Sequence, residues 1–151
     1  MHAVRGFLSL LARLMLAAIF LLSAVAGKIM NFNKTVEQMA AEGVPSPKIL
    51  LGGAIAFLIL GGLSIVLGYK GRFGAFLLLV FLGAATYFFH DFWKLPGDTP
   101  PEKMQMEVIQ FFKNVALMGA MLFLLANGTG PWSLDNRGAA SAADGAAEDD
   151  E

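Results

Sequence analysis

Six polar side chains interrupt or flank the apolar blocks of this 151-residue sequence, and they are the residues that could bind a ligand. They are Lys28, His90, Asp91, Gln110, Lys113 and Asn114. An imidazole, two amides, two ammonium groups and a carboxylate can together hydrogen-bond a polar head group. The same groups can instead form a cluster of ion pairs and amide bonds that only ties helices together, and the residues alone leave both interpretations open.

A quinone is the ligand that these residue types would suit, with its head group at the polar side chains and its ring against the neighbouring phenylalanines. Asp91 is expected to pair with Lys28 or Lys113, because antiparallel helices would bring the three positions to one depth. His90 could also relay protons. The sequence predicts no catalytic residue and no metal site, since it has no nucleophile triad, phosphate-binding glycine loop or metal-ligand spacing.

The absence of cysteine excludes disulfides, thiol relays and iron–sulfur ligation within this sequence. His2 lies near the N-terminus and His90 is the only other histidine, which disfavours a haem held by two histidines of one chain. Basic residues are scattered along the chain, so nucleic-acid binding has no support. An enzyme that acts alone is therefore the least favoured class.

Arg13 is a further charge, about two turns inside the first apolar block. A charge at that depth must face the interior of a bundle or find a partner. One interpretation is structural, with Arg13 reaching lipid phosphate or the carbonyl groups of a neighbouring helix. The other is a path for a transported substrate, because Arg13 and Lys28 lie on roughly one face of the first helix.

The elements that would position these residues are membrane-spanning helices. The sequence is 56% hydrophobic and only 15% charged, and its apolar blocks approach the ~20 residues that a helix needs to cross a bilayer. We predict an all-α integral membrane protein, a four-transmembrane-helix bundle built from two antiparallel hairpins. The predicted spans are residues 7–26, 49–69, 73–93 and 108–126, within a domain of residues 1–137.

The connections support this arrangement. Residues 27–47 show apolar positions at helical spacing, which predicts a short interfacial amphipathic helix after helix 1. Residues 70–72 can form only a tight turn, so the second and third spans make a hairpin. Glycines in the second span are predicted to allow close packing of helices. Residues 138–151 are rich in alanine and acids and are predicted to be a disordered acidic tail.

An even number of spans places both termini on one side of the membrane. The basic turn at residues 70–72 lies on the same side, which predicts cytoplasmic N- and C-termini in a bacterial inner membrane. The first block also resembles a signal peptide that is cleaved after Ala26. Against cleavage, Arg13 interrupts that block and three further spans follow.

The chain resembles the DoxX family of small bacterial membrane proteins, from about Val4 to Trp132. The features that carry the resemblance are Arg13, Gly27-Lys28 followed by Phe32, the glycine-rich second span, the sequence FFHDFW at 88–93 and the sequence QFFKNVALMGAML at 110–122. The resemblance implies that Gly27-Lys28 is an internal motif and that the termini are cytoplasmic. Some proteins of this family are subunits of thiosulfate:quinone oxidoreductase or belong to membrane oxidoreductase assemblies.

These observations predict a quinone-associated or anchoring subunit of a membrane oxidoreductase system. The alternatives are a small transporter or channel, and a non-catalytic membrane scaffold or assembly factor. The predicted cofactor is a quinone. The predicted partners are the lipid bilayer, a soluble oxidoreductase subunit and further copies of the chain.

Overall fold

A computed structural model describes residues 2–137, and every regular element within that range is helical. The elements in chain order are α1 (His2–Leu22) with a π-helical continuation (Ser23–Ile29), α2 (Phe32–Ala41), α3 (Pro47–Leu67), α4 (Gly71–Phe89), a 3-10 turn (Phe92–Lys94) and α5 (Pro101–Asn127). Four stretches are long and apolar enough to cross a membrane: His2–Ile29, Pro47–Leu67, Gly71–Lys94 and Pro101–Asn127. The predicted all-α fold with four spanning helices is confirmed.

The observed helices differ from the predicted spans mainly at their ends. The first and last are longer than residues 7–26 and 108–126, because polar residues at a membrane boundary continue a helix as well as apolar ones do. α4 ends at Phe89, so the predicted span 73–93 contains a break at His90. The predicted acidic tail at residues 138–151 lies outside the described residues.

Each spanning helix packs antiparallel against the next one in the sequence, in the order α1, α3, α4, α5. All four contribute to one core, which includes Phe20, Leu58, Leu78 and Met121. A Cβ atom at Gly61 would overlap Leu78 and approach the backbone of Gly74, so α3 and α4 lie very close there. No hydrophobic effect drives helices together in lipid. Small residues stabilise such contacts instead, because they let the helix backbones pack closely.

α2 confirms the predicted amphipathic helix between the first two spans. Its Met39 is buried, and together with Val44 and Leu51 it forms a second apolar cluster. Phe88 and Phe89 at the end of α4 pack against the same cluster. α2 therefore covers one end of the bundle, which we call the cavity end.

The chain after α5 covers the opposite end of the bundle, which we call the terminal end. We call residues 128–137 the C-terminal loop. The Asp135 backbone N–H donates to the Gly68 carbonyl at 2.8 Å. The Asp135 carboxylate accepts from the backbone N–H groups of Lys70 and Gly71 at 2.8 and 2.9 Å. It thereby caps the first turn of α4, where a negative charge complements the helix dipole.

Candidate functional site

A cavity of about 560 Å³ lies at the cavity end, between α2, the first half of α3 and the second half of α4. Its walls are mostly apolar, with Met39, Phe57, Phe81, Phe88 and Phe89 among the larger side chains. Four of the six predicted ligand-binding residues line it: Lys28, His90, Lys113 and Asn114. The structure therefore brings together residues from three separate spans, whereas Asp91 and Gln110 lie outside the cavity lining.

Lys28 reaches the cavity from the π-helical continuation of α1. Its Nζ donates to the Ser23 Oγ at 2.9 Å and lies 5.2 Å from the centre of the Phe81 ring. Residues five apart point in different directions on an α-helix, but they align on a π-helix, whose hydrogen bonds join residues at that spacing. No feature of residues 23–29 predicts this winding, so the Ser23 partner was missed.

His90 is held by an acid from α5. Its Nδ1 lies 2.8 Å from the Glu107 Oε2, and the two side chains are 23% and 26% exposed. This contact fixes one ring nitrogen of His90 and leaves Nε2 for another partner. Glu107 was not among the predicted ligand-binding residues.

The predicted pairing of Asp91 with Lys28 or Lys113 is wrong. The Asp91 Oδ2 accepts from the Lys94 Nζ at 2.7 Å instead. The physical reason is the end of α4 at Phe89: Asp91 leads into the 3-10 turn, whose tight winding places residues three apart side by side. Asp91 therefore forms an ion pair within the segment between α4 and α5.

Lys113 and Asn114 belong to α5 and reach the cavity lining side by side. The Lys113 Nζ donates to the Gln110 Oε1, one turn earlier on the same helix. The Asn114 Nδ2 donates to the Thr86 Oγ1 of α4 at 3.0 Å, and both side chains are buried. Thr86 has no charge and was missed, although a hydroxyl inside a span is a common partner for an amide on the next helix.

Arg13 lies at the terminal end, away from the cavity. It is only 2% exposed. Its Nη2 donates to the Trp132 carbonyl at 2.7 Å, its Nη1 to the Val66 carbonyl at 3.3 Å, and its Nε to the Ser9 carbonyl at 3.4 Å. Arg13 thus joins α1, the end of α3 and the C-terminal loop, which is the structural one of the two predicted interpretations.

Carboxylate and imidazole groups are too dispersed among residues 2–137 to form a cluster of three that could hold a metal ion. The chemistry that the cavity offers is hydrogen bonding by two ammonium groups and an imidazole beside aromatic and aliphatic walls. Such a surface suits an amphiphilic ligand with oxygen acceptors.

Sequence comparison assigns this fold to a family. The profile of the family described as DoxX matches residues 8–91, which is more than half of the chain. The chain belongs to the DoxX family. The matched region contains Arg13, Lys28, His90 and Asp91, while Lys113 and Asn114 lie beyond it.

Two Escherichia coli K12 proteins resemble this DoxX family member over most of their length. The inner membrane protein YphA is 34% identical over 135 residues, which cover 89% of this chain and 93% of YphA. The inner membrane protein YqjF is 29% identical over 126 residues, which cover 83% of this chain and 88% of YqjF. Their names agree with the four spanning helices, and both place this chain's relatives in an inner membrane.

A more distant resemblance extends to a eukaryotic protein. A Surfeit locus protein 4 homolog of Schizosaccharomyces pombe is 29% identical over 73 residues, which cover 48% of this DoxX chain but only 24% of that protein. No solved structure matches. The bilayer environment and the family are therefore established.

Proposed function

We propose that this DoxX family protein is the quinone-binding membrane subunit of an oxidoreductase system. The observation that carries the proposal is the cavity of about 560 Å³, in which side chains from α1, α4 and α5 meet above apolar walls. Its size lies within the ~300–1,000 Å³ typical of small-molecule sites. A few polar groups among many apolar ones are also typical of such sites.

The polar groups match what a quinone head group needs. A quinone presents carbonyl oxygens, which accept hydrogen bonds, on a flat apolar ring. Donors at the cavity include the ammonium groups of Lys28 and Lys113, the imidazole of His90 and the second N–H of the Asn114 amide, whose other N–H donates to Thr86. Phe81 and Phe88 offer aromatic surface for the ring.

The electrons would come from another protein. This sequence contains no cysteine and therefore no thiol or iron–sulfur carrier of its own. The chain's own contribution is to bind the quinone, orient its head group and keep it at the depth of the spanning helices. This division of roles supports a subunit that works with a separate oxidoreductase.

The transport alternative receives less support from the structure. A path along the bundle axis would have to pass the terminal end, where Arg13 is bonded to three backbone carbonyls and is almost fully buried. A cavity at one end and a tightly bonded contact at the other favour a binding site over a continuous path through the bundle.

The test is mass spectrometry of the protein purified in its native lipids. Wild type is compared with Lys113→Ala and His90→Ala, and with Lys103→Ala as a control on the same helix, exposed and outside the cavity. We expect a quinone with wild type and with the control, a marked loss with the two cavity variants, and an oxidoreductase in the wild-type preparation. Lipids alone in every preparation would instead support the scaffold hypothesis.

A further inference from the structure

Two lysines that line the cavity, Lys28 and Lys113, form no ion pair among residues 2–137. The hydrogen bonds of Lys28 and Lys113 go to Ser23 and Gln110, which are neutral. Among residues 2–137, the two side-chain ion pairs are His90 with Glu107 and Lys94 with Asp91. Neither lysine takes part in them.

None of the residues that line the cavity is an acid. Glu107 holds His90 from α5, and Asp91 pairs with Lys94 in the loop after α4. Lys28 also lies against the Phe81 ring, which stabilises its positive charge but does not neutralise it. The cavity wall therefore keeps an excess of positive charge among apolar side chains.

An unpaired charge at membrane depth is costly, and a bound counter-charge removes much of that cost. Hydrogen bonds from an ammonium group to a charged oxygen are about twice as strong as bonds between neutral groups. A ligand with a negatively charged oxygen would therefore gain more from this cavity than a neutral ligand of the same shape.

We infer that the cavity selects a head group with a negative charge on oxygen, held by Lys28 and Lys113. The inference rests on the proposed function, because the anionic head group is that of an ionised or reduced quinone. The inference specifies the charge of the ligand's head group, whereas the proposed function specifies only that the ligand is a quinone. A site of this kind stabilises the anionic forms of a quinone relative to its neutral oxidised form.

The test uses two synthetic quinones that differ in one group. An alkylated hydroxynaphthoquinone is an anion at neutral pH, and its methoxy counterpart with the same alkyl chain is neutral. Binding to the purified full chain in nanodiscs is measured by quenching of tryptophan fluorescence, with Trp93 near the cavity end as reporter. Partition of each probe into empty nanodiscs is subtracted.

We expect wild type to bind the anion about tenfold more tightly than the neutral probe. Lys28→Gln and Lys113→Gln should each lower this ratio several-fold, and the double variant should bring it close to one. Lys34→Gln on α2 is the control, because this lysine is exposed and outside the cavity lining, and it should keep the wild-type ratio. Lys28→Arg should keep most of the preference because it keeps the charge.

A second measurement needs no variant. Lowering the pH until the hydroxynaphthoquinone is neutral should abolish the difference between the two probes on wild-type protein. Equal affinity of the two probes at neutral pH would overturn the inference and leave the proposed quinone site standing. Failure of both probes to bind would overturn the proposed function itself, and an unchanged ratio in the double variant would show that other groups select the anion.

Discussion

Each end of the bundle holds one basic residue from the first spanning helix, and the two residues have different partners. At the terminal end, the Arg13 guanidinium donates to three backbone carbonyls and is 2% exposed. At the cavity end, Lys28 has one hydroxyl partner and one aromatic ring. A charge within a span is therefore structural where carbonyl groups converge on it, and available to a ligand where they do not.

The carbonyl groups converge on Arg13 because chain segments end there. α3 ends at Leu67, and the last carbonyls of a helix lack partners within it. Gly128 and Gly130 have positive φ, which lets the C-terminal loop turn back toward α1 and present the Trp132 carbonyl. A cation at the end of a helix also complements its dipole. At the cavity end, α2 and the phenylalanines bring mainly apolar surface instead.

The largest expected effect is that of removing the Arg13 charge. Arg13→Leu leaves the Trp132 and Val66 carbonyls without their donor, and we expect the free energy of unfolding to fall by about 3 kcal/mol. Lys28→Leu should lower it by less than about 1 kcal/mol, since one hydrogen bond is lost. Reversible unfolding in mixed micelles measures both. Equal losses for the two variants would remove the contrast between the ends.

The next largest loss of stability is expected for a substitution at Gly68, which lies close to the Arg13 guanidinium. Gly68 has φ +61°, and a Cβ atom there would overlap the Arg13 guanidinium and Ser133. Gly68→Ala should cost about 2 kcal/mol of unfolding free energy, from backbone strain together with the overlap. Gly43→Ala is the matched control, because φ is +73° and the space around it is open. It should cost only the strain, about 1 kcal/mol.

A smaller effect is expected for the cap that joins the C-terminal loop to α4. Asp135→Ala removes the acceptor for the Lys70 and Gly71 N–H groups and should lower stability by about 1 kcal/mol. Hydrogen exchange should increase in the loop and in the first turn of α4, with the cavity end unaffected. Asp98→Ala, at an exposed position between α4 and α5, serves as control. Faster exchange throughout the bundle would contradict a local role.

The smallest effect is expected for the buried polar pair beside the cavity. Thr86→Val and Asn114→Leu each remove one partner of a single hydrogen bond between α4 and α5. A double-mutant cycle should give a coupling of about 0.6 kcal/mol, the average for such bonds between spanning helices. A coupling as large as the Arg13 effect would mean that the cavity end is locked as firmly as the terminal end.

Much of the fold could be predicted from the sequence. The lengths of the apolar blocks gave four spans, and the short turn between α3 and α4 required antiparallel neighbours. The site was partly predictable, because polar residues inside spans are rare and are drawn to the bundle interior. Lys28, His90, Lys113 and Asn114 do meet at one cavity.

The pairings within the site could not be predicted in the same way. Asp91 was assigned to the wrong partner because no glycine or proline near Phe89 marks the end of α4 in the sequence. Ser23 and Thr86 were missed because small neutral hydroxyl residues are common in packed spans and stand out neither by charge nor by spacing.

The membrane environment, the four spanning helices and the residues whose charge needs a partner follow from residue type and block length, because these set the cost of placing polar groups in lipid. The partners that these residues find depend on how the helices and loops pack. The backbone carbonyls at Arg13 and the neutral surroundings of Lys28 come from helix ends and loop turns that lie far apart in the chain. Hydrogen-bond partners are set by distance and direction in space, and one turn of helix more or less exchanges one partner for another.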